Sequence, residues 1–201
     1  MKGLSVKVSK GNEKMGAIKS VSLPPVVTCR QGAPCIKSCY ARRLLRYPNV
    51  RNAYQSNLDA YNVTPWLYFE QITDAAIDED FFRWHVSGDI PSMAYFRHMC
   101  GVAQVCENTK FLCFTKKYEI VNEFISQGGT VPDNLIIIFS VWEGLKLENP
   151  YDFPTAVVIP KEDSGKYYNE CTGNCLECAK DDRLCWSFSC GNSETVYLVE
   201  H

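Results

Sequence analysis

Residues 134–144 read NLIIIFSVWEG, and residues 135–142 within this stretch form the clearest β-strand pattern of the chain. Other apolar runs also have the character of buried strands, at 16–27, 82–86, 111–114, 156–159 and 196–199. Helical patterns fill most of the intervals between them, at 40–45, 50–61, 66–76, 93–105 and 117–126. Strand and helix therefore alternate about four or five times, which predicts an α/β fold with a partial parallel (βα) barrel-like sheet.

Polar residues follow two of these strands directly. Parallel βα units bind their ligands at the carboxyl ends of the strands, so these residues are candidates for a site. Ser87, Gly88 and Asp89 form a turn after the strand at 82–86, and Ser140 lies at the end of the clearest strand. The alternative for the turn is a plain strand-to-helix connection in which Asp89 caps the next helix.

Length and charge exclude several classes of protein. The 201 residues are enough for one self-sufficient core, and 21 basic against 23 acidic side chains give a formal net charge of −2. This balance does not support a nucleic-acid partner, although it leaves one open. No apolar run approaches the ~20 residues that a membrane helix needs, so no membrane partner is expected. The polar opening of the chain shows no secretory signal, and the expected location is the cytoplasm.

Eleven cysteines are the unusual feature of the composition. An odd number leaves one thiol over in any closed disulfide framework, and a reducing cytoplasm would not maintain such a framework. Binding of a metal or of an iron–sulfur cluster is therefore the leading explanation. Cys100, Cys106 and Cys113 lie in apolar surroundings and are expected to be buried core thiols instead.

The first cysteine group lies in TCRQGAPCIKSCYA, residues 28–41, which places Cys29, Cys35 and Cys39 in one loop after the first strand. Three thiolates from one loop can bind three irons of a [4Fe–4S] cluster and leave the fourth iron open to a substrate or cofactor. The alternative is that Cys29 is a core thiol, while Cys35 and Cys39 join two other ligands around zinc. Spacing does not distinguish these metals, because cysteine binds both.

The second cysteine group lies in CTGNCLECAKDDRLCW, residues 171–186, and consists of Cys171, Cys175, Cys178 and Cys185. The surrounding segment has few aliphatic residues and no periodicity, so a metal is expected to supply the folding free energy that apolar burial does not. The sequence leaves open a second [4Fe–4S] cluster, a zinc ion, or one centre shared with the first group. It predicts a barrel domain at 1–165 and a cysteine-rich metal-binding extension at 166–201.

Several motifs together resemble the gene product 88 family of phage proteins. They are SVSLPPVVTC at 20–29, CxxxCYAR at 35–42, FRWHVSGDI at 82–90, FLCFTKKYEIVN at 111–122, NLIIIFSVWEG at 134–144, and the closing cysteine pattern with Glu200 and His201. The resemblance extends over nearly the whole chain. It implies a phage protein that acts in the host cytoplasm, and it implies little about activity.

A looser similarity is to the radical S-adenosylmethionine enzymes. Those enzymes have a partial (βα) barrel, a three-cysteine loop after the first strand and a glycine-plus-acid motif after the second. The corresponding residues here are Cys29, Cys35 and Cys39 with Tyr40 in the loop, and Ser87, Gly88 and Asp89 in the motif. The order matches, whereas the cysteine spacing differs from the usual three-then-two arrangement, and Tyr40 follows the last cysteine instead of preceding it.

This similarity implies a mechanism. The open iron would chelate S-adenosylmethionine, and one electron would cleave its sulfonium to a 5′-deoxyadenosyl radical. The residues expected to contact the cofactor are Tyr40, Ser87, Gly88, Asp89 and Ser140. No catalytic side chain is assigned, and the substrate is unknown, with a nucleotide or nucleic acid suggested by the phage context. Two alternatives remain: a zinc-stapled binding or inhibitor module without catalysis, and an iron–sulfur protein for electron transfer or sensing.

Overall fold

A single seven-stranded sheet organises the computed structural model, which describes residues 5–200. The strands are β1 (Val8–Ser9), β2 (Lys19–Val21), β3 (Phe81–Trp84), β4 (Lys110–Thr115), β5 (Leu135–Val141), β6 (Thr155–Ile159) and β7 (Thr195–Val199). They lie side by side in chain order; β1 is antiparallel to β2, and every later pair is parallel. The predicted α/β class is thus confirmed, whereas closure of the sheet into a barrel is not shown.

The helices lie in the connections between the parallel strands. They are α1 (Tyr40–Leu44), α2 (Pro48–Val63) and α3 (Pro65–Ala76) between β2 and β3, α4 (Met93–Val105) after β3, α5 (Tyr118–Ser126) after β4, and α6 (Cys175–Lys180) between β6 and β7. The sequence predicts a helix at residues 93–105, and α4 begins and ends at these residues. Ser92 caps it by accepting a hydrogen bond from the Tyr95 amide at 3.2 Å, so Asp89 is not the cap of this helix.

Two elements differ from the sequence-based expectation. β1 is only two residues long, too short for a periodic pattern to reveal it. α6 lies in the cysteine-rich segment and is capped by Asn174, whose side chain accepts a hydrogen bond from the Glu177 amide at 3.3 Å. Six residues make too little helix for its periodicity to be visible in the sequence.

Alternate residues of the central strands face two separate cores. Phe111 and Cys113 of β4 point to the face that α3, α4 and α5 cover, which we call the helix-covered face. Leu112 of β4 belongs to a second core on the opposite face, with Ile136 and Ile138 of β5. The expectation that Cys100, Cys106 and Cys113 are core thiols is confirmed, because all three are buried.

The connection between β6 and β7 covers the opposite face. Its α6 contributes Cys178 and Ala179 to the second core, and the following turn contributes Trp186 and Phe188. The low aliphatic content of this segment therefore does not mean little burial, because aromatic side chains fill this core. The predicted domain boundary at residue 165 falls in this connection and stays a prediction; residues 1–4 and 201 of the two predicted domains lie outside the described residues.

Within residues 5–200, no helix is both long enough and apolar enough to cross a membrane.

Candidate functional site

The carboxyl ends of β2, β3 and β4 lie at one edge of the sheet. β2 leads into the three-cysteine loop (residues 29–39), β3 into the turn Ser87–Asp89, and β4 into Lys116. Parallel pairing aligns these ends, so the first cysteine group and the predicted cofactor-contact turn become neighbours.

Backbone and hydroxyl groups join the turn to the chain that leads to the three-cysteine loop. The Leu23 amide donates to the Ser87 carbonyl at 3.0 Å, and the Ser87 hydroxyl donates to the Leu23 carbonyl at 3.1 Å. The Ser87 amide donates to the Ser22 hydroxyl at 3.2 Å. Three hydrogen bonds therefore fix the Ser87–Asp89 turn against the two residues that follow β2, and Ser87 itself is buried.

Gly88 is required by its conformation and by the space around it. Its φ of +81° lies in the left-handed region that favours glycine. A methyl group there would lie 2.6 Å from the Thr28 hydroxyl oxygen and 2.8 Å from the Leu23 carbonyl oxygen. The Thr28 hydroxyl also accepts a hydrogen bond from the Asp89 amide at 3.1 Å. This hydrogen bond holds Thr28, the residue before Cys29, against the turn.

Asp89 joins the end of β3 to the end of β4. Its Oδ1 accepts hydrogen bonds from the Thr115 hydroxyl at 2.6 Å and from the Ile90 amide at 2.8 Å, while Oδ2 accepts one from the Lys116 amide at 3.0 Å. Burial raises the pKa of this carboxyl group, and the three hydrogen bonds oppose that rise. The contacts observed for Asp89 are thus structural, and its predicted contact with a cofactor stays a prediction.

Cys29, Cys35 and Cys39 lie close enough for their charges to interact. Burial raises the pKa of the Cys29 thiol to about 11, and the charges of Asp89, Cys39 and Cys35 act in the same direction. Burial also raises the pKa of Cys35, while the nearby Lys116 ammonium lowers it. All three side chains are only partly buried. The loop thus presents three thiols at the edge of the sheet, with the Lys116 ammonium near Cys35.

Tyr40 and Ser140 lie on the same edge. Tyr40 begins α1, directly after Cys39, and its hydroxyl donates to the Val86 carbonyl just before the turn. Ser140 is buried near the end of β5, one strand beyond β4, and its carbonyl accepts a hydrogen bond from the Tyr118 hydroxyl. The structure therefore places Tyr40 against the turn after β3 and Ser140 two strands farther along the rim, on β5.

The second cysteine group, which we call the four-cysteine segment (residues 171–185), lies on the face of the sheet that is opposite the helix-covered face. Burial raises the pKa of Cys185 to about 12, and the charges of Cys171, Cys175 and Cys178 contribute to the rise. These four cysteines are therefore gathered together. Cys190 lies apart, and its thiol donates to the Tyr151 carbonyl at 3.4 Å.

Arg83 of β3 points toward the four-cysteine segment. Its Nη1 donates to Cys175 Sγ at 3.7 Å, and its guanidinium lies 4.9 Å from the centre of the Phe114 ring. The buried Nε has no hydrogen-bond partner, and within residues 5–200 no carboxylate forms an ion pair with this side chain. A guanidinium that faces thiols instead of a carboxylate fits a negatively charged sulfur site. Sequence reasoning missed Arg83, although an arginine inside an apolar strand was a usable signal.

The side chains as they stand do not form a site for a single metal ion. No group of three or more His, Cys, Asp or Glu residues in the described part of the chain could hold one, so the predicted metal sites are not shown. A zinc ion with Zn–S bonds near 2.3 Å holds its sulfurs about 3.8 Å apart. Cysteines around a [4Fe–4S] cluster lie farther apart, because irons and sulfides lie between them.

Comparison with known proteins gives one match. The family model described as gene product 88 matches residues 3–193. No curated protein and no solved structure matches this chain.

Proposed function

The chain belongs to the gene product 88 family, and on that premise we propose that it is an iron–sulfur enzyme that uses S-adenosylmethionine. One observation carries the proposal: Cys29, Cys35 and Cys39 come from a single loop at the carboxyl edge of parallel strands. That loop supplies one cysteine fewer than a fully ligated cluster requires. An iron without a protein thiolate can bind a small molecule.

In this proposal the chain's own residues would hold the cluster, keep the loop in position and offset the negative charge of the thiolates. Cys29, Cys35 and Cys39 would hold a [4Fe–4S] cluster, which together with S-adenosylmethionine would supply the one-electron cleavage of a carbon–sulfur bond. The Lys116 ammonium beside Cys35 would offset part of the negative charge of the thiolates. Asp89 would keep the ends of β3 and β4 in register around the loop.

The predicted contacts to the cofactor belong to the same proposal. Tyr40, Ser87, Gly88 and Asp89 lie on the rim next to the three-cysteine loop, and Ser140 lies farther along the same edge, where parallel sheets bind ligands. Ser87 and Gly88 are already packed against the Leu23 carbonyl, so they act by shaping the rim. Tyr40 is about half exposed and is the rim side chain best placed to touch a ligand.

The four-cysteine segment is proposed to hold a second [4Fe–4S] cluster or a zinc ion with a structural role. Arg83 supports this part of the proposal, because a partly buried cation that forms no ion pair with a carboxylate in the described part of the chain is stabilised by a negatively charged sulfur site. The aromatic side chains of Trp186 and Phe188 bury the segment against the sheet, and Cys178 is buried with them. Apolar packing of the segment against the sheet suits a structural centre.

The test is reconstitution with iron and sulfide in the absence of oxygen, followed by elemental analysis and an assay of S-adenosylmethionine cleavage after reduction. We expect Cys35→Ala to lose the iron of the first group and all cleavage, while the four-cysteine segment stays resistant to proteolysis. We expect Cys175→Ala to keep the first group's iron and to expose its own segment to proteases. Cys106→Ala, which removes a buried core thiol, is the matched control and should keep both centres.

Two outcomes would contradict the proposal. Zinc without iron in protein purified without oxygen would favour the zinc-stapled binding module. Equal loss of iron in Cys35→Ala and Cys175→Ala would mean that the two groups share one centre.

A further inference from the structure

Basic residues are strongly segregated along the chain despite its net charge of −2. Residues 14–58, between Glu13 and Asp59, contain eight lysines and arginines and no acidic residue. With 23 acidic residues in 201, a stretch of this length would ordinarily hold about five. The overall charge therefore hides a local excess of positive charge.

This basic stretch surrounds the three-cysteine loop. It forms β2, the loop itself, α1 and most of α2. Four exposed arginines lie here: Arg42 and Arg43 on α1, Arg46 in the connection to α2, and Arg51 on the first turn of α2. Since α1 begins immediately after Cys39, the four arginines flank the first cysteine group directly. We call them the arginine surface.

The charge of the arginine surface is not offset by ion pairs among residues 5–200. Within residues 5–200, none of its four members forms an ion pair. Exposed lysines elsewhere do: Lys146 binds Glu148 at 3.0 Å, and Lys166 binds Asp163. Like charges on adjacent helical turns repel one another, so a surface of this kind is stabilised by an anionic partner.

Aromatic side chains lie among these arginines. The Arg46 guanidinium lies 4.9 Å from the centre of the Tyr47 ring, and its Nη2 donates to the Tyr47 hydroxyl at 3.0 Å. Tyr47 is 45% exposed and Tyr40 is 47% exposed. Exposed rings interleaved with cations provide stacking platforms for unpaired bases, which distinguishes this surface from a purely electrostatic one.

A recess of about 340 Å³ opens beside the arginine surface, between β1, β2 and α2. Polar groups of Ser20, Ser22, Asn49 and Tyr54 line it, and Ala53 and Val86 supply apolar walls. Val86 is also the residue whose carbonyl accepts the Tyr40 hydroxyl, so the recess reaches the strand end beside the three-cysteine loop. Its volume lies within the range of small-molecule sites and admits one nucleobase.

We propose that the arginine surface binds single-stranded nucleic acid, with phosphates on its arginines and one unpaired base in the recess. The inference rests on the proposed function for its chemistry and names the substrate class. Charge complementarity selects a polyanion, and the recess and exposed rings select unpaired bases over a duplex, whose bases are stacked and paired.

The experiment is fluorescence anisotropy of short labelled single strands of DNA and of RNA, measured at several salt concentrations with the full-length protein. We expect the triple variant Arg42→Gln/Arg43→Gln/Arg46→Gln to bind at least tenfold more weakly, and its salt slope to fall by about two, because each phosphate contact to a single strand contributes ≈0.7. The matched control is Lys146→Gln/Lys166→Gln/Lys180→Gln. It removes three exposed lysines and should bind within about twofold of the wild type.

A second variant tests the recess. Ala53→Leu fills it from α2 while keeping a good helix former. We expect several-fold weaker binding of single strands and unchanged binding of heparin, which has charge but no bases. Equal binding by the arginine triple variant and the wild type would overturn the proposal, as would duplex DNA or anionic phospholipid vesicles that bind as tightly as the single strand.

Iron analysis of the same samples separates the two proposals. Binding by a protein that holds no iron would leave this inference standing and contradict the proposed chemistry. A wild-type protein that holds iron and cleaves S-adenosylmethionine but does not bind single strands would contradict this inference and leave the proposed chemistry standing.

Discussion

The three-cysteine loop and the four-cysteine segment carry the same donor atoms in different surroundings. The loop lies at the carboxyl edge of the sheet, where the Ser87 hydroxyl donates a hydrogen bond and the Asp89 carboxylate accepts one, and these contacts fix the neighbouring strand ends. The segment lies on the opposite face, where Trp186 and Phe188 are buried against the strands. The loop is thus held by polar contacts at an accessible edge, and the segment by apolar burial. The two groups therefore differ in what holds them in place more than in exposure, because the cysteines of both are mostly only partly buried.

The largest expected effect on stability comes from removing an aromatic side chain that packs the four-cysteine segment against the sheet. Trp186 is 1% exposed and packs edge-to-face on Phe81 with ring centroids 5.3 Å apart, so Trp186→Ala should lower the free energy of unfolding by about 4 kcal/mol. Chemical denaturation of the reduced protein measures this. Trp66→Ala is the control, because Trp66 is 66% exposed and should change stability by less than about 0.5 kcal/mol. Equal effects of the two substitutions would show that the segment is not held by burial.

The second-largest expected effect on stability concerns Gly88, in the turn at the carboxyl edge of the sheet. Gly88→Ala introduces both left-handed strain and a contact of 2.6 Å with Thr28, and we expect a loss of about 3 kcal/mol in denaturant unfolding. Gly173 of the four-cysteine segment has nearly the same φ, +80°, but no atom within 4 Å of an added methyl group. Gly173→Ala should therefore cost only about 1–2 kcal/mol. Equal losses at the two positions would mean that Gly88 is needed for its conformation alone.

A smaller expected effect is a pH dependence of stability that arises from His85, at the same edge of the sheet as the three-cysteine loop. Burial lowers the pKa of His85, which follows β3, to about 3, and the Lys117 charge adds to this. The folded chain keeps His85 neutral while the unfolded chain protonates it below about pH 6.5, so stability is lost as pH falls from about 6.5 toward about 3. Between about pH 7 and about pH 5 the expected loss from this group is about 2 kcal/mol.

The variant that checks this is His85→Asn. Asparagine tolerates the left-handed φ of +51° but does not titrate. It loses the 3.1 Å contact between His85 Nε2 and the Tyr95 hydroxyl, so it should be less stable at neutral pH yet show a flatter pH dependence in urea unfolding. A variant with the wild-type slope would exclude His85 as the source of the acid sensitivity.

The smallest effect concerns an ion pair that joins the four-cysteine segment to β4. Lys110 Nζ lies 2.7 Å from Asp182 Oδ1, and both side chains are largely exposed. Solvent screening leaves such a pair little net free energy, so Asp182→Asn should change stability by less than about 0.5 kcal/mol. A larger loss in thermal unfolding would mean that charge, and not aromatic burial, holds the segment in place.

The sequence predicted the alternation of strands and helices because each βα unit carries its own local periodicity. α4 and β5 are examples, since both have long apolar patterns with clear ends. It also placed Asp89 at the rim. It did not predict that the Asp89 carboxylate binds Thr115, because that contact depends on the pairing of β3 with β4.

The four-cysteine segment was the harder region to predict. Its burial depends on two aromatic residues, Trp186 and Phe188, and its charge partner Arg83 comes from a strand about ninety residues earlier in the chain. Local periodicity contains no information about such distant contacts. The arginine surface was equally hidden, because net charge averages it with the acidic remainder of the chain.

The central claim is that the three-cysteine loop holds a cluster with one iron free to bind a small molecule. The most direct test is an EPR titration of the reduced, oxygen-free protein with S-adenosylmethionine, in the wild type and in Cys35→Ala. The account predicts that the cofactor changes the shape of the wild-type cluster signal and that Cys35→Ala lacks the responding signal. A wild-type spectrum that stays the same at saturating cofactor would contradict it and would favour an iron–sulfur protein for electron transfer or sensing.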